Sequence, residues 1–523
     1  MDIHLPLTVY LETYRYKQTA LYYALRDAIT SGRLPNGTRL PSSRELGRQY
    51  VLSRGLVNQV YDRLAAEGYV EAVLGSGMFV LYRHEEAHGA GGAMTDIPLS
   101  EWGRRLSMLK RESVTEYSEG AGAGAGPEAG SPAGTRTGSV AAKPADSVKP
   151  ATEGLRGGEI VFDFGHPAPE PFPAPEWRRL LYAEVRAKTD APGASPPAQG
   201  YLPLRETIAR HLRRARGIDV TADAIVIVNG SMQALALLAQ LLLNAGDPAV
   251  VENPGYSGIV SAVRAAGGVP VPGRLDGQGL VIEPWDARLV FVTPSRQFPT
   301  GTVMSLPRRQ ALLQWAAERG AVIVEDDFDS EFRHRGRPIE PLKVLDRAGR
   351  VVYVGTFTRT MQAQLRIGYA VLPDRLVEPF MRALRLYEPV PASVLEQRAL
   401  AQFMAGGGYE RHMRRMGRVY SRRFEQFGRR FDEGLGHLFE VVPSDAGLHL
   451  FARWREDEAG YERYRALCAQ EGVQWGDARE NYIGEAPPAG YFYFAHLSEE
   501  QIAEGVDRME RAAVRWLGSD SLS

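Results

Sequence analysis

The chain has 523 residues, 44% hydrophobic and 24% charged, which is too long for one compact core and predicts two or three globular domains. A formal net charge of -1 excludes a global pull toward nucleic acid or anionic lipid, so any DNA binding needs a local basic patch. One cysteine, Cys468, excludes an intrachain disulfide and a cysteine metal cluster, and no metal site is expected.

The amino-terminal run MDIHLPLTVYLETYRYK lacks a basic start followed by an apolar run, so no signal peptide is expected. Apolar stretches such as Ala234 to Leu243 are too short and interrupted to span a bilayer, so a cytoplasmic protein with no membrane partner is predicted. Leu21, Leu25, Ala28 and Ile29 follow helical spacing, and Pro35-Asn36-Gly37 marks a turn. Ser42-Ser43-Arg44-Glu45 has the Ser-x-x-Glu form of a capping box opening a second helix. Ser53 can cap a third helix, in which Leu56, Val57, Val60 and Leu64 make one apolar stripe. A hairpin follows, with Gly75-Ser76-Gly77 at its tip. Three helices and a ribbon are the parts of a winged helix, and residues 1–83 are assigned to it.

The third helix presents Arg54, Asn58 and Gln59 opposite its apolar stripe. These are the side-chain types that pair bidentately with guanine and adenine in the major groove. Arg39, Ser42, Ser43 and Arg44, with Ser53, offer hydroxyls, amides and guanidinium groups suited to phosphates. The glycines Gly75 and Gly77 around Ser76 allow the wing backbone to approach a groove.

Residues 84–158 turn to Gly, Ala, Ser and Pro, as in EGAGAGAGPEAGSPAG, and are read as a flexible tether. The run TDIPLSEWGRRLSML is the one candidate for a docked helix within it. Beyond it, Ala224 to Val228, Ala249 to Glu252, Leu289 to Thr293, Val322 to Glu325 and Val351 to Val354 are β-rich runs separated by helical stretches. That alternation predicts a largely parallel sheet covered on both faces. Residues 159–388 are assigned to this large domain and 389–517 to a smaller α+β domain.

Two resemblances are carried by motifs. LPSSRELGRQYVLSRGLVNQVYDRLAAEGYVEAVLGSGMFV resembles the GntR-type winged helix along its whole length. Five later blocks, including VNGSMQALALLAQLLLNAGDPAVVENPGYSG, VTPSRQFPTG, VIVEDDFDSEFR and GTFTRTMQAQLRIGYAVLP, resemble fold-type-I pyridoxal-phosphate aminotransferases. Joined, they look like a MocR-type regulator: an α+β winged helix-turn-helix on an α/β transferase domain with a smaller α+β subdomain.

The resemblance implies roles for particular residues. Ser231, Met232 and Gln233 open a helix after a strand, and with Thr356 and Arg366 they match phosphate-binding positions. Tyr256 would stack on the cofactor ring, and Asp326 would pair with its pyridine nitrogen. Departures fall in the same site. Arg359 stands where a Schiff-base lysine is expected, and a guanidinium, charged at any biological pH, forms no comparable imine. Phe328 replaces a ring-oxygen tyrosine, Arg296 stands where a histidine is common, Tyr491 lies near an expected carboxylate-clamping arginine, and Ser195 replaces a phosphate-reaching tyrosine of the neighbouring subunit. A buried Arg359 should meet an anion, whether Asp326, a phosphate or a ligand carboxylate.

The expected function is a homodimeric regulator that binds operator DNA and senses a small anionic effector without transaminase chemistry. That effector is pyridoxal phosphate held noncovalently, a vitamer or an unrelated anionic metabolite. The alternatives are a scaffold dimer with no ligand and, third, an active aminotransferase.

Overall fold

The computed structural model describes residues 5–14, 16–73, 77–81, 99–108, 158–163, 167–168, 172–187, 198–335 and 340–520. The head forms around helices Lys17–Thr30, Ser43–Gln49 and Arg54–Ala66, with Leu21, Leu25, Ala28, Ile29, Val57, Val60 and Leu64 all buried. The capping box is complete: the Ser42 hydroxyl accepts from the Glu45 amide, and the Glu45 carboxylate accepts from the Ser42 amide. Ser53 caps the third helix by accepting from the Leu56 amide at 3.2 Å. Strand Val70–Val73 pairs antiparallel with Gly77–Val80 to form the ribbon. The tip residues Gly75 and Ser76 lie outside the described residues. A further helix, Leu7–Thr13, precedes the three that periodicity predicts.

Within the segment read as tether, helix Glu101–Met108 docks on the body. The Ser100 amide donates to Leu241 O at 2.7 Å, its hydroxyl to Gln240 O at 2.8 Å, and the Glu101 amide to Asn244 Oδ1 at 2.6 Å. Residues 99–108 therefore pack on the body, within the run that the sequence offers as the one docked-helix candidate of this segment.

The large sheet runs in the order Ile225–Val228, Gly368–Val371, Val351–Thr356, Val322–Asp327, Leu289–Val292, Pro248–Asn253, Val269–Asp276, Gly279–Leu280. Gly368–Val371 is antiparallel to both neighbours and Gly279–Leu280 is antiparallel to Val269–Asp276; the remaining pairings are parallel. Strand residues alternate between two cores. Val226, Val251, Phe291, Val324 and Val354 pack with helices Ser231–Leu242 and Asp374–Tyr387. Ile225, Ile227, Tyr353 and Val371 pack on the other face with helices Leu202–Arg216 and Val394–Ala405. The latter helix falls beyond residue 388 yet builds the large domain's core.

The small domain is a five-stranded sheet in the order Phe439–Val441, His449–Trp454, Ala489–Tyr493, Val473–Asp477, Ile160–Phe162. Its last strand comes from the start of the segment assigned to the large domain and pairs parallel with Val473–Asp477. No helix among the described residues is long and apolar enough to cross a membrane.

Candidate functional site

On the head, Arg39, Ser42, Arg44, Ser53, Arg54, Asn58, Gln59 and Gly77 are exposed and Ser43 is half-buried. The turn before the third helix is tight: a Cβ on Gly47 would sit 2.8 Å from Leu52 O, and Val51 adopts φ 52°. Gly77 has φ 122°, and the Arg39 side chain lies against it, 3.1 Å from where a Cβ would stand. The Arg39 side chain therefore lies beside the base of the wing. Ser42 and Ser53 serve first as helix caps.

The body's pocket forms at the carboxyl ends of its parallel strands, the place where open α/β sheets bind ligands. A cavity of about 320 Å³ is lined by Ser231, Met232, Tyr256, Thr293, Phe298, Asp326, Phe328, Thr356, Thr358, Arg359, Ala363 and Arg366. Eight of the nine residues predicted from sequence converge there. Gln233 does not: its side chain accepts from the Asn229 amide at 2.7 Å and donates to Glu388 at 2.7 Å, shaping the loop from outside. Thr293, Phe298, Thr358 and Ala363 are additions.

One end of the pocket is built for an anion. Gly230, at φ 78°, caps helix Ser231–Leu242, and a Cβ there would stand 2.6 Å from the Arg366 guanidinium. The absence of that Cβ lets Arg366 reach the helix's positive end beside the Ser231 hydroxyl. Thr356 completes this end and donates to Thr358 at 3.1 Å. Aromatic groups make one wall. Phe298 meets Tyr256 edge-to-face at 6.0 Å and Phe328 at 5.8 Å.

Asp326 and Asp327 point to opposite faces, as neighbours on a strand do. Asp327 turns away and accepts from Arg216 and Tyr353, each at 2.6 Å. Asp326 lines the pocket, is 6% exposed, and its Oδ1 has no hydrogen-bond partner among the described residues. Burial, followed by the neighbouring carboxylates Asp327, Glu252 and Asp329, pushes its pKa up to about 7, with Arg359 opposing. An unpartnered buried carboxyl beside an aromatic wall fits a protonated ring nitrogen, and the Gly230 cradle fits a phosphate. These features fit the ring and phosphate of pyridoxal phosphate, and no lysine lines the cavity among the described residues.

Arg359 lines the same cavity, with its guanidinium carbon 5.5 Å from the centre of the Tyr493 ring. Its charge opposes the upward pKa shift of Asp326, the one carboxylate lining the cavity among the described residues. Arg296, by contrast, is committed to structure: it pairs with Asp329 at 2.9 Å and donates to Ala446 O and His449 O. Tyr491 packs on Phe298 behind the lining. Ser195 lies outside the described residues. Lys343 is the one lysine of the body among the described residues, and its ammonium donates to Asp346 and to Val351 O, at the far end of strand Val351–Thr356 from the pocket.

Fold and site together define a DNA-binding winged helix joined to an aminotransferase-type body. Residues 17–80 match the bacterial regulatory proteins of the gntR family, and residues 173–509 match aminotransferase class I and II. The chain is 33% identical over 506 residues to the probable rhizopine catabolism regulatory protein MocR of Rhizobium meliloti, covering 96% of this chain and 94% of that one. It is 30% identical to the pyridoxine biosynthesis transcriptional regulator PdxR of Corynebacterium glutamicum, covering 82% of each. The solved α-aminoadipate aminotransferase LysN of Thermus thermophilus, complexed with N-(5'-phosphopyridoxyl)-L-leucine, superposes with a TM-score of 0.63 at 26% identity, covering 70% of this chain and 94% of that one. The chain belongs to the MocR-like gntR-family transcriptional regulators that carry an aminotransferase class I and II domain.

Proposed function

We propose that this regulator acts as a homodimer whose body senses a small anionic effector, pyridoxal phosphate or a vitamer held noncovalently, without transaminase chemistry. One observation carries the reading: Asp326, Arg359 and Arg366 share a cavity whose lining holds no lysine among the described residues. Covalent capture of an aldehyde needs an amine that can lose its proton, and Arg359 cannot supply one. Pyridoxal phosphate, when bound, supplies an electron-accepting ring. Ser231, Thr356 and Arg366 would hold its phosphate, Tyr256 would cover the ring, and Asp326 would keep a proton at the ring nitrogen.

A route from pocket to dimer face supports sensing. Leu386, Tyr387 and Val390, between 55% and 58% exposed, form an apolar end to helix Asp374–Tyr387 that suits burial against a second copy. Glu388 beside them accepts from Asn229 at 2.8 Å and from Gln233 at 2.7 Å, the residues flanking the phosphate cradle. A ligand that tightens the cradle therefore pulls on the subunit seam, and with it on the spacing of two DNA-binding heads.

The test is fluorescence anisotropy of the full-length dimer on a DNA site selected from a random library, with and without pyridoxal phosphate. A shift in DNA affinity that dialysis reverses is expected. Unchanged affinity, together with no binding heat for any vitamer, would reduce the body to a scaffold.

A further inference from the structure

The pocket is furnished for more than one acidic group. Its two arginines face different neighbours: Arg366 lies against Gly230 at the start of helix Ser231–Leu242, whereas Arg359 lies over Tyr493 on the small-domain sheet. Between them stand the aromatic wall of Tyr256, Phe298 and Phe328 and the buried, unpartnered Asp326 Oδ1. We infer that the effector is a flat heteroaromatic ring bearing two acidic arms, a phosphate at the Arg366 end and a carboxylate at Arg359, with a protonated ring nitrogen on Asp326. This assignment rests on the noncovalent pocket proposed above and names its ligand class.

The chemistry separates the candidates. A guanidinium presents a planar fork of donors that matches a carboxylate in two parallel hydrogen bonds. An aldehyde at the same ring position accepts a weaker, neutral-acceptor hydrogen bond. An aminomethyl group, protonated near neutrality, sets like charge against Arg359. The order of affinity is therefore acid, then aldehyde, then amine. A cavity of about 320 Å³ leaves room for one such ring with short arms and little else.

Three probes differing only at that ring position test the assignment: pyridoxal 5'-phosphate, pyridoxamine 5'-phosphate and 4-pyridoxic acid 5'-phosphate, each titrated calorimetrically into the full-length protein. The acid is expected to bind at least about tenfold more tightly than the amine, and Arg359→Met to close that gap by weakening the acid and relieving the like-charge repulsion on the amine. The wild-type series decides the matter even if the variant misfolds. Equal or tighter binding of the amine overturns the two-arm assignment but leaves the phosphate pocket standing. Failure of all three probes to bind overturns both.

Discussion

Arg26 of the head pairs with Glu340 of the body inside a buried cluster. The Tyr22 and Tyr69 hydroxyls each donate to the same carboxylate at 2.9 Å. Arg309 ties this latch to the pocket: its guanidinium donates to Glu340 O and to Pro294 O, both at 2.7 Å, and Pro294 follows the pocket residue Thr293. Arg54 and Asn58, the residues expected from sequence to read DNA, are exposed and take no part in this docking cluster.

Glu340→Ala should loosen the head. It leaves Arg26 with Asp27 and Tyr22 with Glu67, and removes the carboxylate that accepts from the buried Tyr69 hydroxyl, at a cost of ~2–4 kcal/mol to docking. Hydrogen exchange should quicken in helix Lys17–Thr30 while the large sheet stays protected. Unchanged protection of that helix would contradict the latch.

Asp326 predicts a pH dependence of the ligand-free protein. Its folded pKa of about 7 lies above the ordinary carboxylate value, so the folded state holds this proton more tightly than the unfolded chain. The stability it contributes is complete below about pH 4 and is lost as pH rises through 7. Asp326→Asn should therefore be more stable than the parent at pH 8, by a few kcal/mol at most, and the advantage should shrink by pH 5. A difference that does not vary with pH, in denaturant titrations, would place the proton elsewhere.

Gly230→Ala should damage the anion end selectively. The new methyl would meet the Arg366 guanidinium at 2.6 Å, and φ 78° disfavours any side chain. Affinity for a phosphorylated vitamer should fall at least about tenfold, while binding of its dephosphorylated form changes little. A parallel loss for both forms would mean general collapse of the pocket.

On the head, Arg54→Ala should reduce discrimination between selected and random DNA. Arg39→Ala, which removes a cation beside the wing, should weaken both and lower the salt slope by about one. Anisotropy at several salt concentrations separates the two effects. Equal losses on both DNAs for Arg54→Ala would contradict base readout by that residue.

Much of this fold was legible because its signals are local. The Ser42–Glu45 box, the Ser53 cap and the β-branched strand runs are encoded within a few residues, and they form as read. Strand Val269–Asp276 was hidden by Pro270 and Pro272, which read against a strand. Ile160–Phe162 joins a sheet whose other strands lie far along the chain, a pairing no local pattern reveals. Within the site, residue type identified Asp326, Arg359 and Tyr256 through their motifs. Side-chain direction decided the remainder: Phe298 turns inward from its loop, whereas Gln233 turns out to Glu388. Glu340 carries no motif at all, and its role arises only when head and body meet.

We propose that the pocket receives its ligand without a covalent bond. The most direct test is intact-protein mass spectrometry after incubation with pyridoxal phosphate and reduction with borohydride. The parent protein should return at its unmodified mass, and Arg359→Lys, which places an amine in the pocket, should gain one phosphopyridoxyl group at residue 359. A stoichiometric adduct on the parent, mapped by peptide sequencing to a lysine of the body, would contradict the account.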